Sequence, residues 1–422
     1  MEYGVDRIGQ HAGLLNGRVA LATSPSGRTS GLQSTIERLR EVCSLQLLLA
    51  PEHGVRGDKG AGENFENAVD GPSGLPVASL YGKEASHHLS EEACAAFDIL
   101  VYDIQDVGAR CYTFISTLQI LLEDCARYGK RLIMLDRPNP LGDMAEGMLL
   151  RLDTRSFVGC YDIPLRYGLT CGEFALMVNH ERDLGCDLQV IPCLGWNRHA
   201  LFPELNKVWV MPSLAMPRFE TALLYPGTCM LEGVNCSEGR GTADPFAILG
   251  APYIDAETLT ARFNAMKLPG VIATPLYFTP SASKYAGEMC GGMHLHVTDA
   301  HRVQPVALGM QLLALIRELY PKHFSLLPPL REGDMPFLSK LGVIDRRAQR
   351  SAADEYMKAI SIKAPSVTQL VGNLSGGNQQ KVVVGNWLNN DPKIMIYDEP
   401  TRGIDVNAKQ QIFEIMWNQA KQ

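Results

Sequence analysis

The 422-residue chain lacks a long uninterrupted apolar run. The longest, Val306–Ile316, is already broken by Gln311, whereas a membrane-spanning helix needs about 20 residues. The amino terminus, Met-Glu-Tyr-Gly-Val-Asp, has no basic region leading into an apolar one. No export signal is therefore read, and a cytoplasmic location is expected. Positive charge is not in excess: 39 Lys+Arg stand against 46 Asp+Glu, a net −7 that argues against a general nucleic-acid binder. The 11 cysteines include no Cys-x-x-Cys pair, so neither a zinc cage nor a disulfide framework is expected. A phosphate loop G-x-x-x-x-G-K-[ST] is also missing, because Gly82-Lys83 and Gly129-Lys130 are followed by Glu84 and Arg131. What remains is 46% hydrophobic and 20% charged, the profile of a globular protein with two or three domains.

The first half has a rhythm of short apolar runs ending in polar turns. Val19-Ala-Leu-Ala-Thr meets Ser24-Pro-Ser-Gly, and Leu45–Ala50 meets Pro51-Glu-His-Gly. Ile99-Leu-Val-Tyr meets Asp103-Ile-Gln-Asp, and Leu132–Leu135 meets Asp136-Arg-Pro-Asn-Pro. Such runs suit strands buried on both faces. Helix-like segments lie between them at Leu32–Val42, Ser90–Phe97 and Tyr112–Tyr128. The predicted fold class is α/β: a Rossmann-like, doubly wound parallel sheet over residues 1–193. Ligands of such sheets sit beyond the strands' carboxyl ends, here marked by Glu52, His53, Asp103, Asp106, Asp136, Arg137 and Asn139.

Residues 194–333 are rich in Gly, Pro and aromatics and are expected to form a smaller α+β domain closing that cleft, with a helix over Val306–Tyr320. Residues 334–422 read as helix (Arg346–Ile360), helix (Asn378–Leu388), strand (Ile394–Tyr397) and helix (Ala408–Trp417). Charge changes at the same place, from −9 before residue 334 to +2 after it, and the last cysteine is Cys290.

Six motifs in the first 330 residues belong together: Pro51-Glu-His-Gly-Val-Arg-Gly, Tyr102-Asp-Ile-Gln-Asp-Val-Gly-Ala-Arg-Cys-Tyr-Thr, Leu135-Asp-Arg-Pro-Asn-Pro-Leu-Gly, Arg166-Tyr-Gly-Leu-Thr, Tyr225-Pro-Gly-Thr and Glu232-Gly-Val-Asn-Cys-Ser-Glu-Gly-Arg-Gly-Thr. Through them residues 4–330 resemble the bacterial exo-β-N-acetylmuramidase family, with the resemblance fading near Pro329. It implies a glycoside hydrolase that removes N-acetylmuramic acid from the non-reducing end of peptidoglycan fragments. The implied partner is a muropeptide or disaccharide, with no cofactor, no nucleic acid and no membrane insertion. A muropeptide-binding protein without activity is the alternative on the same fold.

Glycosidic cleavage needs an acid for the leaving oxygen and a second group at the oxocarbenium-like centre. Glu52 is the candidate acid, with His53 as a proton relay. Asp106, Glu232 and Glu238 are candidates for the second role, as is the substrate's own 2-acetamido group. The lactyl carboxylate of muramic acid calls for a cation with a planar fork. Arg56, Arg110, Arg137, Arg166 and Arg240 are the candidates, with Asp136, Asn139, Asn235 and Thr242 as further substrate contacts. A metal site is weakly indicated: His294 and His296 would share one strand face without a third ligand at motif spacing.

Residues 334–422 resemble the ATP-binding subunits of bacterial sugar ABC importers. Leu374-Ser-Gly-Gly-Asn-Gln-Gln is close to the ABC signature, Lys393–Pro400 to the Walker B strand, and Gly403-Ile-Asp405 to the D-loop. The resemblance implies γ-phosphate contact at Ser375, Gly376 and Gly377, Mg²⁺ at Asp398 and water polarisation by Glu399. Without a phosphate loop, ATP and Mg²⁺ are expected only if another subunit completes the fragment. A sugar-importer ATPase fragment with a passenger is therefore the second alternative.

Overall fold

A computed structural model describes residues 1–82, 87–329, 334–344, 346–388, 397, 400–401 and 406–419. The chain divides into two compact units, Met1–Val343 and Ile344–Gln422.

The first unit is built on seven strands: β1 (Arg18–Thr23), β2 (Ser44–Ala50), β3 (Ala68–Val69), β4 (Pro76–Ser79), β5 (Ile99–Asp103), β6 (Arg131–Leu135) and β7 (Asp187–Ile191). Their order is β3-β4-β2-β1-β5-β6-β7, parallel throughout except for β3 against β4. The apolar runs become strands because both faces are covered: all of β5 is buried, as is β1 after Arg18. Edge strand β7 shows no such run, since its residues alternate in exposure. The chain goes from β1 to β2 on one side and returns to β5 on the other. The switch point therefore lies beyond the carboxyl ends of β1 and β5, where this class of sheet binds ligands.

Helices Thr35–Val42, Phe114–Tyr128 and Cys171–Glu181 cover the sheet. The first begins three residues later than the apolar pattern predicts. Leu32 takes a positive φ of 69°, and Ser34 caps the helix in a reciprocal box with Glu37. Thr170 and Glu173 form the same box on the third helix.

The rest of this unit carries a three-stranded antiparallel sheet in the order β8 (Ile248–Ala251), β10 (Cys290–Val297), β9 (Val271–Phe278). Helices Phe219–Thr228, Ala256–Ala265 and Pro305–Leu319 pack around it. Pro305 opens its helix, as its fixed φ favours. The first and last of these helices cross at Gly227 and Gly309. A Cβ on Gly227 would lie 1.7 Å from the Pro305 carbonyl oxygen.

The second unit contains helices Arg346–Ala359, Gly376–Leu388 and Val406–Gln419. Its buried Lys381 ammonium donates to the Ser361 carbonyl at 2.7 Å and to Gln411. Among the described residues, no helix is long and apolar enough to cross a membrane.

Candidate active site

Glu52 follows β2 and is half-buried. Its Oε1 accepts the Gly62 main-chain N–H at 2.8 Å. Its Oε2 accepts from the Thr113 hydroxyl and from the Tyr81 hydroxyl at 3.3 Å. An amide N–H can only donate, whereas a hydroxyl can donate or accept. A proton on this carboxyl therefore belongs on Oε2. The next residue, His53, holds a positive φ of 72°, and its Nδ1 lies 3.3 Å from the Lys59 carbonyl. Burial lowers the imidazole pKa, with Arg240 adding to the effect and Glu52 opposing it.

A second acidic cluster comes from the other lobe. Arg240 donates through Nε and Nη2 to Glu232 Oε1, at 3.0 and 2.7 Å. Glu238 is held by Lys284 Nζ at 2.9 Å and lies 3.6 Å from Arg240. Lys284 also donates to the carbonyls of Leu231 and Cys236. Burial raises the Glu232 pKa, the charge of Glu238 adds to it, and Arg240 and Lys284 oppose it. The Glu232 side chain retains 21% exposure, against 2% for Glu238.

Rings join the two clusters. His53 meets Phe114 edge-on at 6.4 Å, Phe114 meets Tyr112 at 4.9 Å, and Tyr112 meets Tyr225 at 5.8 Å. Tyr225 meets Phe246 at 4.7 Å, and the Arg240 guanidinium lies 5.0 Å from that last ring. The charges of Glu52 and Arg240 both act on Tyr112. His53, Phe246, Ser283 and Tyr285 are non-glycine residues at positive φ, and they flank Glu52, Arg240 and Lys284. Strained backbone of this kind gathers at functional sites.

The other candidate residues are placed differently. Asp106 is buried, takes Tyr167 Oη at 2.5 Å and the Gly108 N–H at 2.8 Å, and leaves Oδ2 without a partner. Burial pushes its pKa up to about 6, against those two donors. Asp136 accepts from Thr170, Gly172 and Arg137 at the start of helix Cys171–Glu181, and burial raises it to about 6. Arg137 is clamped in both prongs by buried Asp103, at 2.6 and 2.9 Å. Arg110 donates to the carbonyls of Met148, Ile163 and Leu341, and Arg166 to that of Leu141. Arg56 pairs with Asp70 at 2.8 and 2.7 Å. Asn139 bridges Leu169 and Leu141, Asn235 bridges His323 and Ser325, and Thr242 closes a turn on Gly239. None of these five guanidinium groups lacks a protein partner; that of Arg240 is Glu232.

His294 and His296 do share a strand face, with rings 4.4 Å apart, but His294 bonds Asp244 at 2.7 Å. Among the described residues no three metal-ligating side chains gather. Ser375, Gly376 and Gly377 stand at the start of helix Gly376–Leu388, where Ser375 Oγ accepts from Asn378. Asp398, Glu399, Asp405 and most of the predicted strand Ile394–Tyr397 lie outside the described residues.

Sequence reading missed three residues here. Thr113 and Tyr81 hold Glu52, and Lys284 holds Glu238. Thr113 ends one of the matched motifs, which was a usable signal; Tyr81 and Lys284 lie in none.

Paired carboxyls near the carboxyl edge of a parallel sheet are the kind of groups a glycoside hydrolase uses. The chain belongs to the exo-β-N-acetylmuramidase NamZ family. The model of the family's N-terminal part matches residues 19–220 and that of its C-terminal part residues 223–372, further than the motifs reach. The peptidoglycan β-N-acetylmuramidase NamZ of Bacillus subtilis is 41% identical over 313 residues, 74% of this chain and 75% of that protein. A crystal structure of a DUF1343 family protein from Bacteroides fragilis matches with TM-score 0.74 at 33% identity, over 85% of this chain and 93% of that one. The xylose import ATP-binding protein XylG of Thermoanaerobacter pseudethanolicus is 54% identical over 79 residues, 19% of this chain but 16% of its own length.

Proposed function

We propose that the chain is an exo-acting hydrolase that releases N-acetylmuramic acid from the non-reducing end of peptidoglycan fragments, with Glu52 as acid and Glu232 as second carboxyl. The observation that carries this is the Glu52 environment: one obligate donor on Oε1 and two reversible hydroxyls on Oε2. That arrangement suits a group that gives and regains a proton. Glu232 is favoured over Asp106 and Glu238 because its side chain stays partly exposed while burial raises its pKa. Arg240 beside it is the cation best placed for the lactyl carboxylate. The boundary near residue 193, between the sheet domain and the cleft-closing domain, is part of the same reading.

The test is release of chromophore from a β-N-acetylmuraminide and from the matching glucosaminide. Selective release from the first is expected. Glu52→Gln is expected to lose about 10²–10⁴-fold in kcat while still binding N-acetylmuramic acid. A variant keeping more than about a tenth of the wild-type rate would remove Glu52 from the acid role.

A second reading concerns the carboxyl-terminal residues alone, which we infer to be a portion of a sugar-importer ATPase without hydrolysis of its own. Its support is the XylG-like stretch, 16% of that relative's length. ATP and Mg²⁺ would enter only with a completing subunit. Stoichiometric ATP binding by the full chain alone would overturn this.

A further inference from the structure

Two buried hydroxyls between the acidic clusters lie within reach of each other and have no other partner. Tyr112 Oη and Ser213 Oγ are buried, and neither makes a well-formed hydrogen bond. They are polar neighbours, close enough for Ser213 to act on the phenol. Buried polar groups are nearly always paired, and each exception calls for a reason, an absent ligand among them.

The surroundings indicate which ligand. Tyr112 precedes Thr113, the donor to Glu52. The rings of Phe114 and Tyr225 stand edge-on to it. Ser213 lies within residues 207–217, which contain neither helix nor strand. This segment is pinned at Trp209, whose ring meets Phe202 at 4.9 Å and whose Nε1 donates to the Met216 carbonyl at 3.0 Å. Beside that anchor, Val208, Met211 and Leu214 are exposed. The segment thus combines anchors at half-buried Trp209 and buried Met216 with exposed apolar side chains, one of them next to Ser213 in sequence.

We propose that the Tyr112 and Ser213 hydroxyls bind the 2-acetamido group of the muramyl substrate, with residues 207–217 shifting to admit it. The proposal rests on the hydrolase reading above. An amide presents one donor and one acceptor, and each hydroxyl can play either part. Its methyl group would meet the rings of Phe114 and Tyr225. A charged group fits poorly between neutral hydroxyls on an aromatic wall. Completing the pair would also anchor the acetamido group beside Glu52.

The test compares wild type, Tyr112→Phe and Ser213→Ala on two substrates: the chromogenic β-N-acetylmuraminide, and its analogue with a hydroxyl in place of the acetamido group. Each variant is expected to lose roughly tenfold in kcat/KM on the first and much less on the second. Tm should hold or rise, because an unpaired buried hydroxyl has been removed. Equal losses on both substrates, or a fall in Tm that tracks the loss of activity, would overturn the proposal. Should wild type cleave neither substrate, the hydrolase reading fails by itself. The pair is then judged by Trp fluorescence titration with N-acetylmuramic acid. Binding about tenfold weaker in Tyr112→Phe supports it; equal binding, or none by wild type, sinks it.

Discussion

The Thr113 hydroxyl donates to Oε2 of Glu52 across 61 residues of sequence. It reaches that oxygen because the loop after β5 and the loop after β2 leave the same edge of the parallel sheet. Tyr81 supplies the second hydroxyl from just beyond β4. Thr113→Val should therefore lower kcat by about tenfold with little change in KM, while Thr113→Ser keeps most of the rate. Steady-state kinetics on the muraminide checks this. An unchanged kcat in the valine variant would mean that Tyr81 and Gly62 suffice to hold the carboxyl.

The main sheet was legible because Val19–Ala22, Leu47–Ala50, Ile99–Tyr102 and Leu132–Leu135 are continuous apolar runs buried on both faces, which suit a covered strand. Edge strand β7 was not, since half-exposed residues break the pattern. At the site, Glu52 and Glu232 could be named from their motifs, but partnership could not. Arginine looks alike in sequence whether it faces a ligand or a carbonyl. Arg110 and Arg166 turn out to bind carbonyls deep in the fold. Lys284 meets Glu238 across 46 residues, a contact made by tertiary packing and unmarked by any local signal.

Asp70 and Asp106 should give opposite pH dependences. Asp70 is held down to about 2, chiefly by its hydrogen bonds from Arg56. A depressed carboxyl contributes stability that is full above its unfolded value near 4 and is lost as pH falls through 2. Asp70→Asn should lower stability at pH 7 by about 1 kcal/mol, a modest figure because the Arg56 head is partly exposed and screened. The same variant should flatten the acid limb of urea unfolding midpoints. An acid limb identical to wild type would show that the pair contributes nothing.

Asp106 has the reverse sign. Burial raises it to about 6, so between about pH 4 and 6 the folded state binds more protons than the unfolded one. Its contribution therefore declines as pH rises through that window and is level above it. Asp106→Asn keeps an acceptor for Tyr167 and removes the buried charge. Its stability relative to wild type should improve from pH 4 to pH 7, by on the order of 1–2 kcal/mol. Chemical denaturation at the two pH values decides the matter: a constant difference would show that Asp106 does not titrate there.

Gly227 tests the lobe that carries Glu232. Its Cα faces the opening turn of helix Pro305–Leu319, and an added Cβ would stand 1.7 Å from the Pro305 carbonyl oxygen. The reciprocal position is as tight, with a Cβ on Gly309 falling 2.3 Å from the Gly227 oxygen. The obstacle in each case is backbone, which no rotamer change can clear. Gly227→Ala should therefore force the helices apart, at a cost of 3 kcal/mol or more, beyond the ~1–3 kcal/mol of ordinary overpacking. Glu232 lies only five residues on, in the 3₁₀ turn Cys229–Gly233, so activity should fall with stability. Gly13, with nothing within 4 Å of an added Cβ, supplies the control: Gly13→Ala should leave both Tm and turnover near wild type. A Gly227→Ala protein with wild-type Tm would show that this crossing is not the tight contact described.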